Sequence, residues 1–297
     1  MRSMLFVPGD SERKFLKSLS SGADAIILDL EDSVSLAKKP EARTLTRHFL
    51  HQARAGQQNH PDLWVRINSL DTDFWLQDLE AILPAQPDGI MMPKPRSGAD
   101  VMRLSAELDK LETASALAIG QVKLLPIITE TAISVIQMHT YIDCPKRVVA
   151  MTWGAEDLPG DIGASTNRDE NGSLTSIYQL ARDLCLLTSV AAGVQPMDTV
   201  FTNFRDDTGL DCECRLAARD GYTGKMAIHP AQIDIINKAF TPTPDDVAHA
   251  TRIIAAFDAT PDAGVASLDG QMLDRPHLTR AQKLLARAKS TGQNKKA

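Results

Sequence analysis

Short apolar runs alternate with amphipathic stretches along most of the chain. The amphipathic stretches repeat apolar residues at helical spacing and predict helices at roughly 11–21, 38–55, 72–83, 98–118, 131–140, 172–192, 210–219 and 230–239. The apolar runs are nearly unbroken, which is typical of strands buried on both faces of a parallel sheet. They begin near Ser3, Asp24, Asp62, Asp88, Lys123, Arg147, Val194 and Tyr222.

Eight strand and helix units predict a (β/α)8 TIM barrel, a fold that typically takes about 250 residues. The chain has 297 residues. A doubly wound open sheet is the alternative fold. The early strands are followed by neither a glycine-rich dinucleotide fingerprint nor a phosphate-loop motif, which favours the barrel. We expect the barrel to occupy residues 1–240.

Two segments follow the eighth unit. Residues 244–258 repeat apolar positions at helical spacing after a proline-rich entry, which predicts an extra helix. The Asp269-Gly270 step predicts a tight turn or short hairpin, and a basic amphipathic helix follows to about Ala288. We expect residues 241–290 to form a helix and lid segment, and residues 291–297 to be a disordered tail.

Composition narrows the class of protein. An apolar content of 43% is enough for one large core, and 32 basic against 38 acidic residues leave no basic patch for nucleic acid. No run approaches the ~18 apolar residues of a membrane span, and the chain starts directly with a strand pattern. We therefore expect a cytoplasmic protein. The four cysteines form neither a metal knuckle nor a disulfide framework.

Charged residues cluster where the predicted strands end, which in a barrel is the face that carries the chemistry. Glu130 and Asp157 follow the fifth and sixth runs, and two carboxylates at one mouth suit a hard cation such as Mg2+. Each of them is also suited to cap a helix or form an ion pair. The charged and polar residues at the predicted strand ends form a ring of Asp29, Glu31, Asp32, Arg66, Lys94, Glu130, Glu156, Asp157 and His229. Some members of this ring must pair with each other.

Six longer motifs stand out, at residues 2–9 (RSMLFVPG), 28–34 (LDLEDSV), 65–68 (VRIN), 154–158 (GAEDL), 224–230 (GKMAIHP) and 269–276 (DGQMLDRP). Together they resemble the citrate lyase β-subunit and malyl-CoA lyase family of the HpcH/HpaI aldolase superfamily. The resemblance implies a Mg2+-dependent barrel lyase, with Mn2+ as an alternative cation. Its substrate would be a 3-hydroxyacyl-CoA thioester, and its assembly a homotrimer or hexamer.

The resemblance also implies roles for particular residues. Glu130 and Asp157 would hold the cation against the substrate's hydroxyl and carboxylate oxygens. Arg66 has a planar fork suited to a carboxylate or thioester oxygen, although an ion pair with Glu31 or Asp32 is its simpler role. The small residues Gly154 and Ala155, together with Glu156, would offer backbone amides to the substrate carboxylate.

Two further assignments concern the ends of the chain. The position of Asp274 suits a helix N-cap, whereas the resemblance makes it the acid that protonates the enolate at a neighbouring subunit's site. Arg13, Lys14 and Lys17 follow the first strand and would face the CoA phosphates, although basic helix residues usually form only a solvated face. Lys94 and Lys225 would face CoA or neutralise Asp29 or Asp32, and we expect His229 to be hydrogen-bonded rather than a metal ligand.

Three function classes stay open. The first is a stand-alone acyl-CoA lyase that cleaves malyl-CoA, methylmalyl-CoA or citramalyl-CoA, and the second is the β-subunit of a citrate lyase complex. The third is a non-catalytic metabolite-binding barrel. A degenerate relative should have lost part of its catalytic set, yet Arg66, Glu130, Asp157 and Asp274 are all present. A pyruvate-type aldolase would leave residues 269–274 without a role.

Overall fold

Eight parallel strands form the centre of the molecule in a computed structural model that describes residues 1–56, 60–259 and 264–292. Strands β1 to β5 pair in chain order, as do β6 to β8, and β8 pairs with β1. The bridges Leu124 to Val148 and Ile127 to Thr152 join β5 to β6 and close the barrel, which confirms the predicted fold. The strands are β1 Ser3–Pro8, β2 Ala25–Asp29, β3 Asp62–Arg66, β4 Gly89–Met92, β5 Lys123–Pro126, β6 Ala150–Thr152, β7 Gln195–Asp198 and β8 Gly224–Ala227.

Helices separate the strands where the apolar periodicity places them. In addition, a short helix, α6, follows β6 in a stretch for which no element was predicted. Within the described part of the chain, no helix is long and apolar enough to cross a bilayer. The helices are α1 Glu12–Ser18, α2 Lys39–Gly56, α3 Trp75–Ile82, α4 Gly98–Ala114, α5 Ala132–Ile136, α6 Asp157–Ile162, α7 Ser176–Ala191, α8 Asp207–Asp220, α9 Ile233–Ala239, α10 Pro244–Asp258 and α11 Arg275–Gly292.

Alternate residues of each strand face two different cores. In β2, Ile26 and Leu28 pack against the surrounding helices, whereas Ala25 and Ile27 point into the barrel. Methionines dominate the interior, which holds Met4, Met91, Met197 and Met226 beside Ala25, Ile27, Trp64, Leu125, Ile127 and Ala150. This interior forms the base of the carboxyl-end mouth.

The carboxy-terminal segment has its own hydrophobic cluster. Strands β9 (Val265–Leu268) and β10 (Gln271–Asp274) form the predicted hairpin, which turns at Asp269 and Gly270. Helix α11 extends to Gly292, past the predicted end near Ala288. Residues 291 and 292, the first two of the predicted disordered tail, are thus helical, and residues 293–297 lie outside the described residues. The hydrophobic cluster of this segment comprises Ala250, Ile253 and Phe257 of α10, Ala266 and Leu273 of the hairpin, and Ala281 of α11.

Candidate active site

A cavity of about 860 Å³ opens at the carboxyl ends of the strands. It brings together most of the residues that the sequence singles out. Helix α1 contributes the basic residues, and β3 contributes Arg66. The loops after β5 and β6 contribute the remaining predicted residues. The predicted residues that line it are Arg13, Lys14, Lys17, Asp29, Asp32, Arg66, Glu130, Gly154, Ala155, Glu156, Asp157 and His229.

Glu130 is the buried carboxylate of this cavity. It lies four residues beyond the end of β5, and its Oε2 accepts a hydrogen bond of 2.5 Å from the backbone N–H of Lys94. Burial raises the pKa of Glu130 well above its ordinary value, and the nearby charges of Glu31 and Asp157 raise it further. A cation beside Glu130 would therefore stabilise its ionised form.

Asp157 supplies the second carboxylate from the start of α6. Strand β6 ends at Thr152, so Asp157 opens a helix rather than ending a strand. Its Oδ1 lies 3.2 Å from the Lys94 ammonium. Within the described ranges, three or more His, Cys, Asp or Glu residues nowhere cluster in a way that could hold a metal ion. A cation held by Glu130 and Asp157 would thus complete its oxygen shell with substrate and water, as Mg2+ commonly does.

Lys94 joins the acidic residues at the mouth. Its φ of 50° lies in the left-handed region, which a lysine rarely adopts and which is common at functional sites. The ammonium lies 2.6 Å from Glu31 and 3.3 Å from Asp32, so of the roles left open by the sequence it takes up pairing with Asp32, and its nearest partner is Glu31. Burial raises the pKa of Glu31 to about 7, although Lys94 and Arg66 oppose this shift.

Arg66 forms ion pairs at the side of the cavity. Its Nε and Nη2 each donate a hydrogen bond of 2.7 Å to Asp29, and its Nη1 lies 3.0 Å from Glu31 Oε2. The guanidinium also stacks over the Phe6 ring at 5.0 Å. The main partner is therefore Asp29 rather than Glu31 or Asp32. This pairing orients Arg66, and the residue still lines the cavity.

Gly154 allows the closest approach between the two loops. A β-carbon at this position would lie 2.6 Å from Glu130 Cγ, a distance at which one of the loops must shift. The Gly154 N–H donates to Thr129 Oγ1 at 2.8 Å. This hydrogen bond ties the loop after β6 to the loop that carries Glu130. Hydroxyl pairing of this kind has no sequence signal, and Thr129 was not predicted.

The basic residues of α1 lie at the rim of the cavity. Arg13, Lys14 and Lys17 are exposed, and within residues 1–56, 60–259 and 264–292 none of them forms an ion pair. Their charge is therefore available to an anion. Lys225 behaves differently from the prediction. It is fully buried and pairs with Asp198 at 2.6 Å and Glu213 at 2.8 Å, not with Asp29 or Asp32.

His229 and Asp274 occupy different parts of the molecule. His229 Nδ1 accepts from the Ala231 N–H, which confirms a hydrogen-bonded mouth residue. Asp274 immediately precedes α11, and its carboxylate lies 2.5 Å from His277 Nδ1. It is not among the residues that line the cavity of its own chain. The hydrogen bond from His277 lowers the pKa of Asp274, whereas a general acid near neutral pH needs a raised pKa.

Residues 2–230 match the family model described as HpcH/HpaI aldolase/citrate lyase. The chain belongs to this family. It is 36% identical to the citrate lyase subunit beta of Haemophilus influenzae, over 97% of each chain. It is also 36% identical to a (3S)-malyl-CoA thioesterase of Cereibacter sphaeroides, over 97% of this chain and 95% of the relative.

Solved structures of the family share the fold. The protein CitE of Mycobacterium tuberculosis, in complex with magnesium, acetoacetate and coenzyme A, superposes with a TM-score of 0.76 and 32% identity, covering 97% of this chain and 98% of that one. A citrate lyase beta subunit from the same organism, complexed with oxaloacetate and magnesium, gives a TM-score of 0.68 and 32% identity, covering 81% and 96%. The suspected family and fold are thus confirmed.

We predict that Asp29→Asn destabilises the protein by about 3–5 kcal/mol, because it removes the charge of the carboxylate that accepts two hydrogen bonds from the buried Arg66 guanidinium, and Glu31 pairs with only one of its other nitrogens. Chemical denaturation at neutral pH measures this loss. Asp32→Asn is the matched control, because the Asp32 side chain is 57% exposed and lies 3.8 Å from Arg66. We expect Asp32→Asn to cost less than about 1 kcal/mol.

The stability that Asp29→Asn loses relative to the original protein should depend on pH. Burial alone would raise the pKa of Asp29, but the charge and hydrogen bonds of Arg66 hold it below its ordinary value of 3.8. The stabilisation by ionised Asp29 is therefore complete above that value and is lost as the pH falls through the lower, folded-state pKa. Equal stability of Asp29→Asn and Asp32→Asn at neutral pH would contradict the role of the ion pair.

Proposed function

We propose that this chain is a carbon–carbon lyase that cleaves a 3-hydroxyacyl-CoA thioester of the malyl-CoA, methylmalyl-CoA or citramalyl-CoA type. The products would be acetyl-CoA or propionyl-CoA and an oxoacid. The observation that carries the proposal is the meeting of Glu130 and Asp157 with Arg66 in one cavity. The relatives named for citrate lyase and malyl-CoA chemistry support it.

The proposed cation is Mg2+, with Mn2+ as the alternative, and Glu130 and Asp157 would hold it. When bound, it would supply positive charge beside the hydroxyl and carboxylate oxygens of the substrate. Carboxylate donors fit a hard cation. The unfavourable burial of Glu130 near other acids supports this assignment, because a neighbouring cation would offset the repulsion.

The chain's own groups would orient the substrate for cleavage. As the carbon–carbon bond breaks, its electron pair passes to the thioester enolate, the hydroxyl oxygen becomes the carbonyl oxygen of the oxoacid, and the hydroxyl proton passes to a base or water in the cavity. Arg66, held by Asp29, would donate to the oxygen on which the negative charge develops. The amides of Ala155 and Glu156 would bind the carboxylate that becomes part of the oxoacid, whereas the Gly154 amide, which the sequence also suggested, is already bonded to Thr129. The enolate then takes a proton from an acid.

The CoA portion of the substrate would extend along α1. Arg13, Lys14 and Lys17 line one side of the cavity and carry no competing ion pair within the described part of the chain. Phosphate groups are the anions that such exposed basic side chains attract, and the attraction weakens with salt. A thioester linked to free CoA, rather than to a carrier protein, would use these charges.

We propose that Asp274 is the acid and acts at a neighbouring subunit. Asp274 lies on the same face of the hairpin as Val265 and Met272, whose side chains are 48% and 72% exposed. An acid surrounded by exposed apolar side chains fits a lid, formed by residues 241–290, that covers another mouth in a homotrimer or hexamer. There the pKa of Asp274 would rise, because desolvation and nearby carboxylates favour the protonated form.

The β-subunit of a citrate lyase complex is a second candidate, supported by the Haemophilus relative. The reaction would be shared, and only the carrier of the thioester would differ. Hydrolysis of a malyl thioester is a third outcome, supported by the Cereibacter relative. A non-catalytic barrel would need neither Glu130 in an unfavourable environment nor Arg66 in the cavity.

We predict that the purified protein alone, with Mg2+, cleaves at least one of malyl-CoA, methylmalyl-CoA and citramalyl-CoA. Mass spectrometry would detect acetyl-CoA or propionyl-CoA together with an oxoacid. Release of free CoA and the intact hydroxyacid would instead identify a thioesterase. Turnover that requires added carrier-protein and transferase subunits would assign the chain to a citrate lyase complex.

We predict that Glu130→Gln and Asp157→Asn each weaken Mg2+ binding by more than about 100-fold and abolish lysis. Calorimetric titration measures the cation affinity independently of activity. The unfolding temperature of Glu130→Gln should not fall, because burial opposes the charge that the variant removes.

Asp32→Asn is the control for the cation experiment, since Asp32 also lines the cavity but is largely exposed. We expect it to keep cation binding within about twofold of the original protein, as for an ordinary surface change. Lysis by Glu130→Gln or Asp157→Asn at the original rate in the presence of chelator would refute the assignment.

We predict that Asp274→Asn keeps Mg2+ binding but lowers the rate of lysis by roughly 10²–10⁴, the usual contribution of a general acid. Asp269→Asn in the same hairpin is the matched control and should retain the rate, because Asp269 is a turn residue paired with the exposed Arg252.

Mixed oligomers of Asp274→Asn and Glu130→Gln subunits test whether the acid acts across subunits. Such oligomers contain sites in which an intact barrel faces an intact hairpin, so some activity should return. Mixed oligomers that are verified to form yet stay inactive would place Asp274 within its own site.

A further inference from the structure

A loop at residues 163–175 contacts the segment proposed to bind the substrate carboxylate. Asn167 Nδ2 donates to the Ala155 carbonyl at 2.9 Å and lies 3.3 Å from Glu156 Oε1. Asn167 itself is held at the base of the loop, where its carbonyl accepts from the Thr175 N–H at 3.0 Å. The contact therefore joins a fixed loop to the residues that line the cavity.

The direction of one backbone N–H follows from this contact. In a trans peptide, the carbonyl of one residue and the N–H of the next point in opposite directions. Because Asn167 binds the Ala155 carbonyl, the Glu156 N–H points away from the loop. Among residues 1–56, 60–259 and 264–292, no group accepts a hydrogen bond from the Glu156 N–H. Ala155 and Glu156 both line the cavity.

An ion-pair chain connects this loop to the interior of the protein. Arg168 Nη2 donates to Glu213 Oε2 at 2.9 Å, and Glu213 Oε1 lies 2.8 Å from the ammonium of fully buried Lys225. The same ammonium binds Asp198 at 2.6 Å, and Asp198 accepts from the Trp153 indole at 2.7 Å. Lys225 thus reaches Trp153 through Asp198, and it reaches the loop that binds Ala155 and Glu156 through Glu213 and Arg168.

We propose that Asn167 is a positioning residue that orients the Ala155–Glu156 peptide, so that the Glu156 N–H donates to the carboxylate of the oxoacid. The Arg168, Glu213 and Lys225 chain holds Asn167 in place for this role. The inference rests on the proposed lyase function, because it assigns a direction to the amide of that same site. Asn167 does not touch the substrate and acts only through the peptide that it binds.

The test compares Asn167→Ala with Asn171→Ala in calorimetric titrations of glyoxylate, pyruvate and oxaloacetate in the presence of Mg2+. Asn171 lies in the same loop and contributes only its backbone N–H to a hydrogen bond, so it is a matched control. We expect Asn167→Ala to weaken binding of the preferred oxoacid about 10- to 100-fold, as for loss of one hydrogen bond to a charged group. Asn171→Ala should stay within about twofold.

Two further measurements separate positioning from general stability. The Mg2+ affinity and unfolding temperature of Asn167→Ala should match those of Asn171→Ala, whereas hydrogen exchange in peptides spanning residues 153–157 should be faster. Arg168→Gln should show the same pattern as Asn167→Ala. Arg215→Gln, which breaks an exposed ion pair with Asp211, should not.

The outcomes distinguish this inference from the proposed function. If the original protein binds no oxoacid with Mg2+, the proposed function fails, and the exchange rates of residues 153–157 decide whether Asn167 holds the segment. If the original protein binds an oxoacid and Asn167→Ala binds it as tightly as Asn171→Ala does, the inference is overturned. Equal exchange in both variants would also overturn it.

Discussion

Repulsion among carboxylates at the barrel mouth is the constraint on which the rest of the site depends. Asp29, Glu31, Asp32, Glu130 and Asp157 all lie near one opening, and burial there raises the pKa of Glu31 and Glu130. Two basic side chains, those of Arg66 and Lys94, pair with these carboxylates. Arg66 pairs mainly with Asp29 and Glu31, and Lys94 bridges Glu31, Asp32 and Asp157.

The two basic side chains also fix the geometry of their partners. The bidentate pairing of Arg66 with Asp29 sets the plane of the guanidinium, and the backbone of Lys94 holds Glu130 through its left-handed conformation. Glu130 is left with less neutralisation than the other buried acids, as its raised pKa indicates. The negative charge of the mouth is therefore least compensated at Glu130, where a further cation is proposed to bind.

The barrel could be predicted from sequence because unbroken apolar runs and helical spacing are local patterns that repeat eight times. The same argument placed Arg66, Glu130 and the basic residues of α1 at one mouth, since parallel strands end on one side. It did not predict α6, which begins at Asp157. The apolar run continues to Glu156, whereas β6 ends at Thr152, so no local pattern marks where the strand ends and the helix begins.

Pairings between side chains could not be predicted, because they depend on distances across the barrel. Sequence offered Lys225 several acidic partners, yet its burial beside β7 and α8 selects Asp198 and Glu213. The contact of Asn167 with Ala155 likewise depends on how the 163–175 loop returns to the residues that precede α6. The location of Asp274 outside its own cavity follows from a separate hydrophobic cluster that spans the hairpin and both terminal helices.

The methionines inside the barrel affect how strictly the cavity selects its acyl group. Met91 and Met226 line the cavity, and Met4 and Met197 belong to the same interior cluster. Unbranched thioether side chains change rotamer at low cost, so they repack around ligands of different shape. One methyl group is worth only about 1–3 kcal/mol of discrimination even in a rigid pocket. A base built from methionine therefore tolerates acyl groups that differ by one carbon better than branched aliphatic residues would.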